Sequence, residues 1–278
     1  MLRLLTIELH KLKYNKSAKV ISIVYFILIT FIALISSIEF NFGDFHFRIA
    51  DQGIFNFPYI WHFNTYIAAI LKLFLAIVIV SMMANEYSNR TLKQNLIDGL
   101  SKKEFIMSKF LTVVLFSLVS TLFVFGVSLV LGLIFSDYNE PGIIFSDIEY
   151  LFAYFIKLIG FFSFCLFLGI LVKRSAFALG FLLIWSITEG IIYSIFKWKI
   201  FKDTEIAESM IQFFPLTAMS NLIKEPFSRL GAVQTAANQL GEAFDKDYSV
   251  QFLTVIIVMV WTFLFIFGSY YVLKKRDL

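Results

Sequence analysis

The sequence predicts an all-α polytopic membrane protein with six transmembrane helices. Three observations carry that class. Six apolar stretches each approach the roughly 20 residues that a helix needs to cross a hydrocarbon core of about 30 Å. Little chain is left outside them. Lys and Arg concentrate in every second gap between them, the pattern of a chain anchored on one side of a membrane. Lipid offers stray backbone groups no hydrogen-bond partner, so the spans must be helical. They are read at Val20–Ile38, Phe63–Ala84, Lys109–Phe135, Tyr150–Val172, Ala176–Phe196 and Phe252–Leu273. They form a single membrane domain over residues 1–278.

Residues 1–19 come first. Leu2, Leu5, Leu9 and Leu12 recur at three- and four-residue steps and share one helical face, with Arg3, His10, Lys11 and Lys13 off the stripe. The segment reads as an amphipathic helix lying in the membrane interface or against a partner. An ordinary basic lead-in to the first span is the plainer alternative. It is a poor signal peptide, because the apolar run is too long and no small-residue cleavage site follows.

The gap after span one is rich in aromatics (Phe40, Phe42, Phe45, Phe47, Phe55, Phe57, Tyr59 and Trp61), which suggests an interfacial belt. The gap after span two, residues 85–108, is the most structured polar stretch. It reads as two short helical pieces broken at Gly99. Leu92, Leu96 and Leu100 step by four and make an apolar ridge on the first piece. Gly99 suits a helix C-cap. Ser101 and Glu104, three apart, form a capping box that opens the helix into span three.

The gap after span three carries Asp137, Glu140, Asp147 and Glu149 and no base, whereas the gap after span four is little more than Lys173 and Arg174. Residues 197–251 are too long for a bare connector. Within them Met210–Ile223 is apolar and interrupted by Pro215. It is too short to span, and reads as a helix that either dips into the outer leaflet or lies flat on it. Ala232–Phe244 reads as a short outer helix. The tail ends in Lys274, Lys275 and Arg276.

Basic residues before span one, in the gaps after spans two and four and in the tail put both termini in the cytosol. Residues 197–251 then face outward, and their mixed charges count little in so long a segment. The net charge of +4 therefore reflects membrane anchoring and contact with anionic lipid, not nucleic-acid binding.

Three ionisable residues fall inside spans: Lys72, Lys157 and Glu189. A mid-membrane charge costs roughly 2.5–3.5 kcal/mol on insertion scales, so each needs a partner, water or a route to the interface. At about 1.5 Å per residue, Glu189 lies about 20 Å above the inner end of its span and Lys157 about 10 Å below the outer end of its own. The depths nearly coincide, and Glu189 is expected to pair with Lys157 or Lys72. Lysine snorkelling and a purely structural role for Glu189 are the plain alternatives.

Catalytic patterns are missing. There is no G-x-x-x-x-G-K-[ST], HExxH or GxSxG. His10, His46 and His62 all lie outside the predicted spans, and Cys165 is the sole cysteine. No metal or cofactor is expected on this chain. An ATP-independent secondary transporter or channel would predict inverted repeats or Gly/Pro-broken spans. A membrane-embedded lipid-modifying enzyme would predict a polar cluster at one membrane face. A bare membrane anchor would need no buried charge.

Several short motifs carry a family resemblance. They are Ile7-Glu8-Leu9-His10-Lys11-Leu12, then Asn85-Glu86-Tyr87 with Arg90-Thr91-Leu92, then Gly99 to Phe105 with Lys109, and finally Phe214-Pro215-Leu216-Thr217. With the six-span layout they resemble the membrane subunit of bacterial type 2 ABC exporters, in the group of antibiotic- and bacteriocin-resistance permeases. Arg90 stands where that pattern usually has Gly, and Lys102 where it has Arg.

The resemblance implies a permease of the bacterial inner (cytoplasmic) membrane that pairs with a second copy or a sister chain. It also implies docking of a separate ABC ATPase subunit that binds ATP and Mg. Residues 85–108 would be the ATPase-coupling segment, involving Glu86, Arg90, Thr91, Leu92, Lys93, Leu96, Gly99, Ser101 and Glu104. Leu92 and Leu96 would fill a groove of the ATPase, with Glu86, Arg90 and Lys93 at its rim. Spans two and five would line the path and bring Lys72 and Glu189 near it, while helices around Pro215 would close an outer gate. The cargo implied is an amphipathic or lipid-like molecule moved outward.

Overall fold

The computed structural model describes residues 2–35, 39–42, 45–48, 53–201, 204–239 and 246–276. Its described elements, in chain order, begin with α1 (Leu2–Tyr14) and α2 (Lys16–Ile35), then β1 (Glu39–Phe42) and β2 (Phe45–Arg48). There follow α3 (Tyr59–Ser88), α4 (Thr91–Ile97), α5 (Lys102–Phe135), α6 (Pro141–Ile144), α7 (Glu149–Val172) and α8 (Ser175–Ile195). The chain closes with α9 (Thr204–Ile211), α10 (Pro215–Asn221), α11 (Gly231–Gln239) and α12 (Phe252–Lys274). Among the described residues six helices are long and apolar enough to cross a membrane: α2, α3, α5, α7 with α6 before it, α8 with the π-helical turn after it, and α12.

The bundle is built around α7, which packs against α3, α12, α5 and α8. Its buried residues run along every face, from Tyr150 through Leu158, Phe162 and Leu166 to Ile170. A helix apolar all round belongs in the middle of a bundle. At the other extreme, α8 buries only Ala178, Leu182 and Glu189. Leu183, Ile184, Ile187 and Ile191 are exposed on it.

Several boundaries differ from the sequence reading. The first predicted span begins four residues early, at Lys16, because Asn15 breaks the chain between α1 and α2 and its side chain accepts from the Ala18 amide. Such a side-chain cap starts a new helix. Residues 36–38, read as the end of that span, lie outside the described residues. α3 and α5 run past their predicted spans into flanking polar sequence, to 30 and 34 residues. Of the outer helix read at Ala232–Phe244, the described part is α11; residues 240–245 lie outside the described residues.

The aromatic segment is corrected where its side chains are described. Phe55, Phe57 and Trp61 are buried, not arrayed as an interfacial belt. Trp61 stacks on Phe125 at 5.5 Å and donates its indole N–H to the Ile144 carbonyl at 2.7 Å. The aromatic run therefore plugs one end of the bundle. The residues around it at 39–42 and 45–48 form an antiparallel hairpin, with Glu39 opposite Arg48 and Phe42 opposite Phe45.

Candidate functional site: the segment between α3 and α5

The reversal after α3 is made at Arg90, whose φ of +55° is left-handed. A side chain there costs about 1–2 kcal/mol relative to ordinary backbone. The position is one that glycine occupies freely, which gives a physical reason why the resembling family carries Gly where this chain carries Arg90. α4 then runs for two turns. It ends in two reversed bonds, Leu100 N–H to the Asn95 carbonyl at 3.0 Å and Gly99 N–H to the Leu96 carbonyl at 3.2 Å. With Gly99 at φ +93°, this is a Schellman cap. The predicted capping box at the next helix is present. The Glu104 amide donates to Ser101 Oγ at 3.2 Å, and the Ser101 amide donates to Glu104 Oε2 at 2.9 Å.

Beneath this segment lies a buried cluster of charges. Glu86 is 3% exposed and Lys109 is 0%. Lys109 Nζ donates to Glu86 Oε1 and, at 2.6 Å, to Glu8 Oε2. Lys11 Nζ donates to Glu86 Oε1 at 2.8 Å. Thr91 Oγ1 reaches Glu86 Oε2 at 2.6 Å, and Asn95 Nδ2 reaches the same oxygen at 3.4 Å. Two carboxylates thus face two ammonium groups, and the cluster balances internally. It joins α1, the end of α3, α4 and the start of α5.

The sequence-predicted coupling residues therefore separate into two sets. Glu86 and Leu92 (2% exposed) face inward, and Leu96 is packed against the same core. The reading that put Glu86 at a partner's rim and Leu92 in a partner's groove is overturned, because this chain's own bundle covers both. Arg90, Lys93, Gln94, Ile97, Asp98 and Gly99 face outward, with Ile97 69% exposed. Ile97 had no role in the sequence reading, although an apolar residue off the leucine ridge is a signal for it. Glu8, Lys11 and Lys109 stood in recognised motifs without a role. Their meeting spans up to 101 residues of sequence, beyond the reach of local pattern.

The same face carries the ends of α7 and α12. Arg276 donates to the Ile170 carbonyl at 2.6 Å and to the Leu171 carbonyl at 2.9 Å, and Lys102 donates to the Arg276 carbonyl at 2.8 Å. α1 and the end of α12 thus lie on the side that bears α4. On α1 the inward face centres on Glu8, between the partly buried Leu4, Leu5, Lys11 and Leu12; Leu9 of the predicted stripe is exposed.

The intramembrane charges are not paired as expected. Glu189 Oε1 accepts from Trp185 Nε1 at 2.7 Å and from the Leu216 amide at 3.1 Å. Its Oε2 accepts from the Thr217 amide and from Thr217 Oγ1, both at 2.8 Å. The carboxylate therefore caps the start of α10, where Pro215 at the first position removes a donor that would otherwise go unused. Lys157 Nζ donates at 3.3 Å to the Ser220 carbonyl in the last turn of the same helix. An anion at the start and a cation at the end complement the helix dipole. Glu189 and Lys157 thus meet through α10 instead of directly. The Lys72 ammonium lies 4.5 Å from the centre of the Phe161 ring, a cation–π contact. Among the described residues it makes no ion pair with Glu189. Met210–Ile223, read as one interrupted helix, is α9 and α10 with a break at 212–214, and Pro215 opens the second piece.

These features define a class: a polytopic helical membrane protein with an ordered, charge-anchored segment between its second and third spans. The family model described as ABC-2 family transporter protein matches residues 4–196, and the chain belongs to that family. No curated protein matches the chain. It is a multi-pass membrane transport protein of the type that works with an ABC ATPase subunit.

Proposed function

We propose that this chain is the permease subunit of an ABC exporter of the bacterial inner membrane, paired with a second copy or a sister chain and driven by a separate ATPase that binds ATP and Mg. Both termini and α4 face the cytosol in this reading. The observation that carries it is the two-sided build of α4. Its inner side is fastened to the bundle by Leu92 and by the Glu86 cluster, while its outer side offers Arg90, Lys93, Gln94, Ile97 and Asp98 to a partner. Charged and polar groups around one apolar anchor suit a protein–protein contact. A push on that outer side passes through Glu86 and Lys109 into α3, α5 and α1 as one unit.

At the other face, α10 contacts α7, α8 and α12 and is held by Glu189 and Lys157. In this reading it is a re-entrant gate helix that moves with α8. Lys72 sits on α3, toward the interior of the bundle, and the cargo is an amphipathic or lipid-like molecule. The test is co-purification with the ATPase and measurement of its stimulated hydrolysis. Arg90→Glu with Ile97→Asp should lose the partner by about tenfold or more, the loss that goes with about 1.4 kcal/mol. The exposed control Glu140→Gln, at the other face, should bind as the native chain does. Retained binding and stimulation in the double variant would reject α4 as the joint.

A further inference from the structure

At the end of the bundle away from α4, the chain that follows α10 forms a strap over the first turns of α3. Tyr59 Oη donates to the Pro226 carbonyl at 2.7 Å. Phe227 stands edge-on to Phe63 and Tyr66, with ring centres 6.0 and 5.8 Å away. α11 packs on the single turn Phe227–Arg229.

Under the strap lies His62, 0% exposed and stacked on Tyr150 with ring centres 4.2 Å apart. Both of its ring nitrogens are engaged. Nδ1 is 3.1 Å from Arg229 Nη1, and Nε2 is 2.9 Å from the Lys224 carbonyl. A guanidinium only donates and a carbonyl only accepts. Nδ1 must therefore turn a lone pair to Arg229, and Nε2 must carry the proton. Only the neutral ring fits these partners. An imidazolium has an N–H at both nitrogens, so it would set N–H against N–H and cation against cation. Arg229 has a way out, since 27% of its side chain is exposed. Its other holds are the rings of Tyr59 and Tyr248, at 5.2 and 5.5 Å, and Asp147 Oδ2 at 3.9 Å, the outer limit of an ion pair.

The other charges at this end are engaged elsewhere. Lys224 Nζ donates to the Asp247 carbonyl at 2.6 Å, Lys157 Nζ to the Ser220 carbonyl, and Lys246 Nζ to Glu225 at 2.9 Å. Glu149 accepts from the Val250 amide and Asp247 from the Ser249 amide. Burial works against it, but the bonds from Ser228 and Lys246 hold the Glu225 carboxyl below its usual value, so it stays ionised in mild acid. The phenols of Tyr59, Tyr150 and Tyr248 titrate only in alkali. Among the described residues no carboxylate is bonded to His62 to offset a second ring proton.

We propose that His62 and Arg229 form an acid-released latch. Nδ1 takes one proton from solvent, the bond from Arg229 breaks, and residues 227–239 lift from α3. The bonds at the Lys224 and Pro226 carbonyls survive, so the strap hinges near Pro226 and α11 swings with it. The latch is independent of cargo and of any ATPase.

The test is amide exchange of the full chain in lipid nanodiscs, corrected for intrinsic rates, from about pH 7.5 to about pH 5, where histidine charge changes. Exchange over residues 227–234 should quicken several-fold while α4 stays as protected as before. His62→Phe keeps a ring against Tyr150 but has no lone pair, so exchange should be fast at both pH values. Arg229→Gln, a half-exposed change that keeps the test open should His62→Phe fold poorly, should behave the same way. Asp147→Asn should keep the pH step. A native chain without the step would overturn the proposal. So would a step that survives in either latch variant, one that Asp147→Asn abolishes, or one that α4 shares.

Discussion

Glu86 and Lys109 show how a charge becomes tolerable at one end of a membrane protein's bundle. Each is buried, and each is met by groups from other helices. Removing one member of a buried ion pair strands its partner, at a cost of about 3–5 kcal/mol. Lys11 has 34% of its side chain exposed, so water screens its share. Lys109→Met should therefore lower the thermal midpoint of the purified protein clearly more than Lys11→Met does. Equal shifts would mean that the cluster is not held together at Lys109. At the far face, Glu189 accepts four hydrogen bonds. Glutamine offers one acceptor oxygen and turns an NH2 toward the other donors, leaving either the Leu216 or the Thr217 amide of α10 unpaired. Glu189→Gln should speed amide exchange across residues 214–221 while leaving α4 protected. Unchanged exchange there would remove Glu189 as the fastening of α10.

Among the elements, α4 was legible in outline and misread in orientation. Its stop at Gly99 and the restart at Ser101 and Glu104 depend on neighbours within a few residues, so sequence carries them directly. The ridge of Leu92 and Leu96 was legible too, but periodicity tells only that a stripe exists, not which surface covers it. The cover turned out to be this chain's own core. Backbone strain was hidden for a similar reason, since nothing in Asn89-Arg90-Thr91 announces a left-handed residue. Two substitutions separate backbone from charge. Gly99→Ala forces a Cβ into φ +93° and should destabilise by about 1 kcal/mol or more, read as faster exchange of the α4 amides. Arg90→Gly relaxes φ +55° and should leave α4 as protected as before, so any loss of partner binding in that variant reports the missing guanidinium. Faster exchange of α4 in Arg90→Gly would contradict that account.

Across the whole molecule, the bilayer makes the spans readable, because it demands long apolar helices and biases their flanks toward Lys and Arg. It says nothing about how each helix is rotated. That rotation decides that Glu8 meets Lys109, that Glu189 finds Thr217 and not Lys157, and that Trp61 stacks inward on Phe125. Sidedness is where sequence and fold can be tested together. Basic flanks put α4 and both termini on one side, and the contacts of Lys11 with Glu86 and of Lys102 with Arg276 gather those same parts at one face. Cys165, the sole cysteine, is buried, so the native chain gives a silent background for thiol labelling. In intact cells, Asp98→Cys and Lys275→Cys should resist an impermeant maleimide until the membrane is opened. Glu140→Cys and Asp247→Cys, between α5 and α7 and just before α12, should react at once. Ready labelling at position 98 from outside would turn the molecule over, and with it the claim that α4 meets an ATPase.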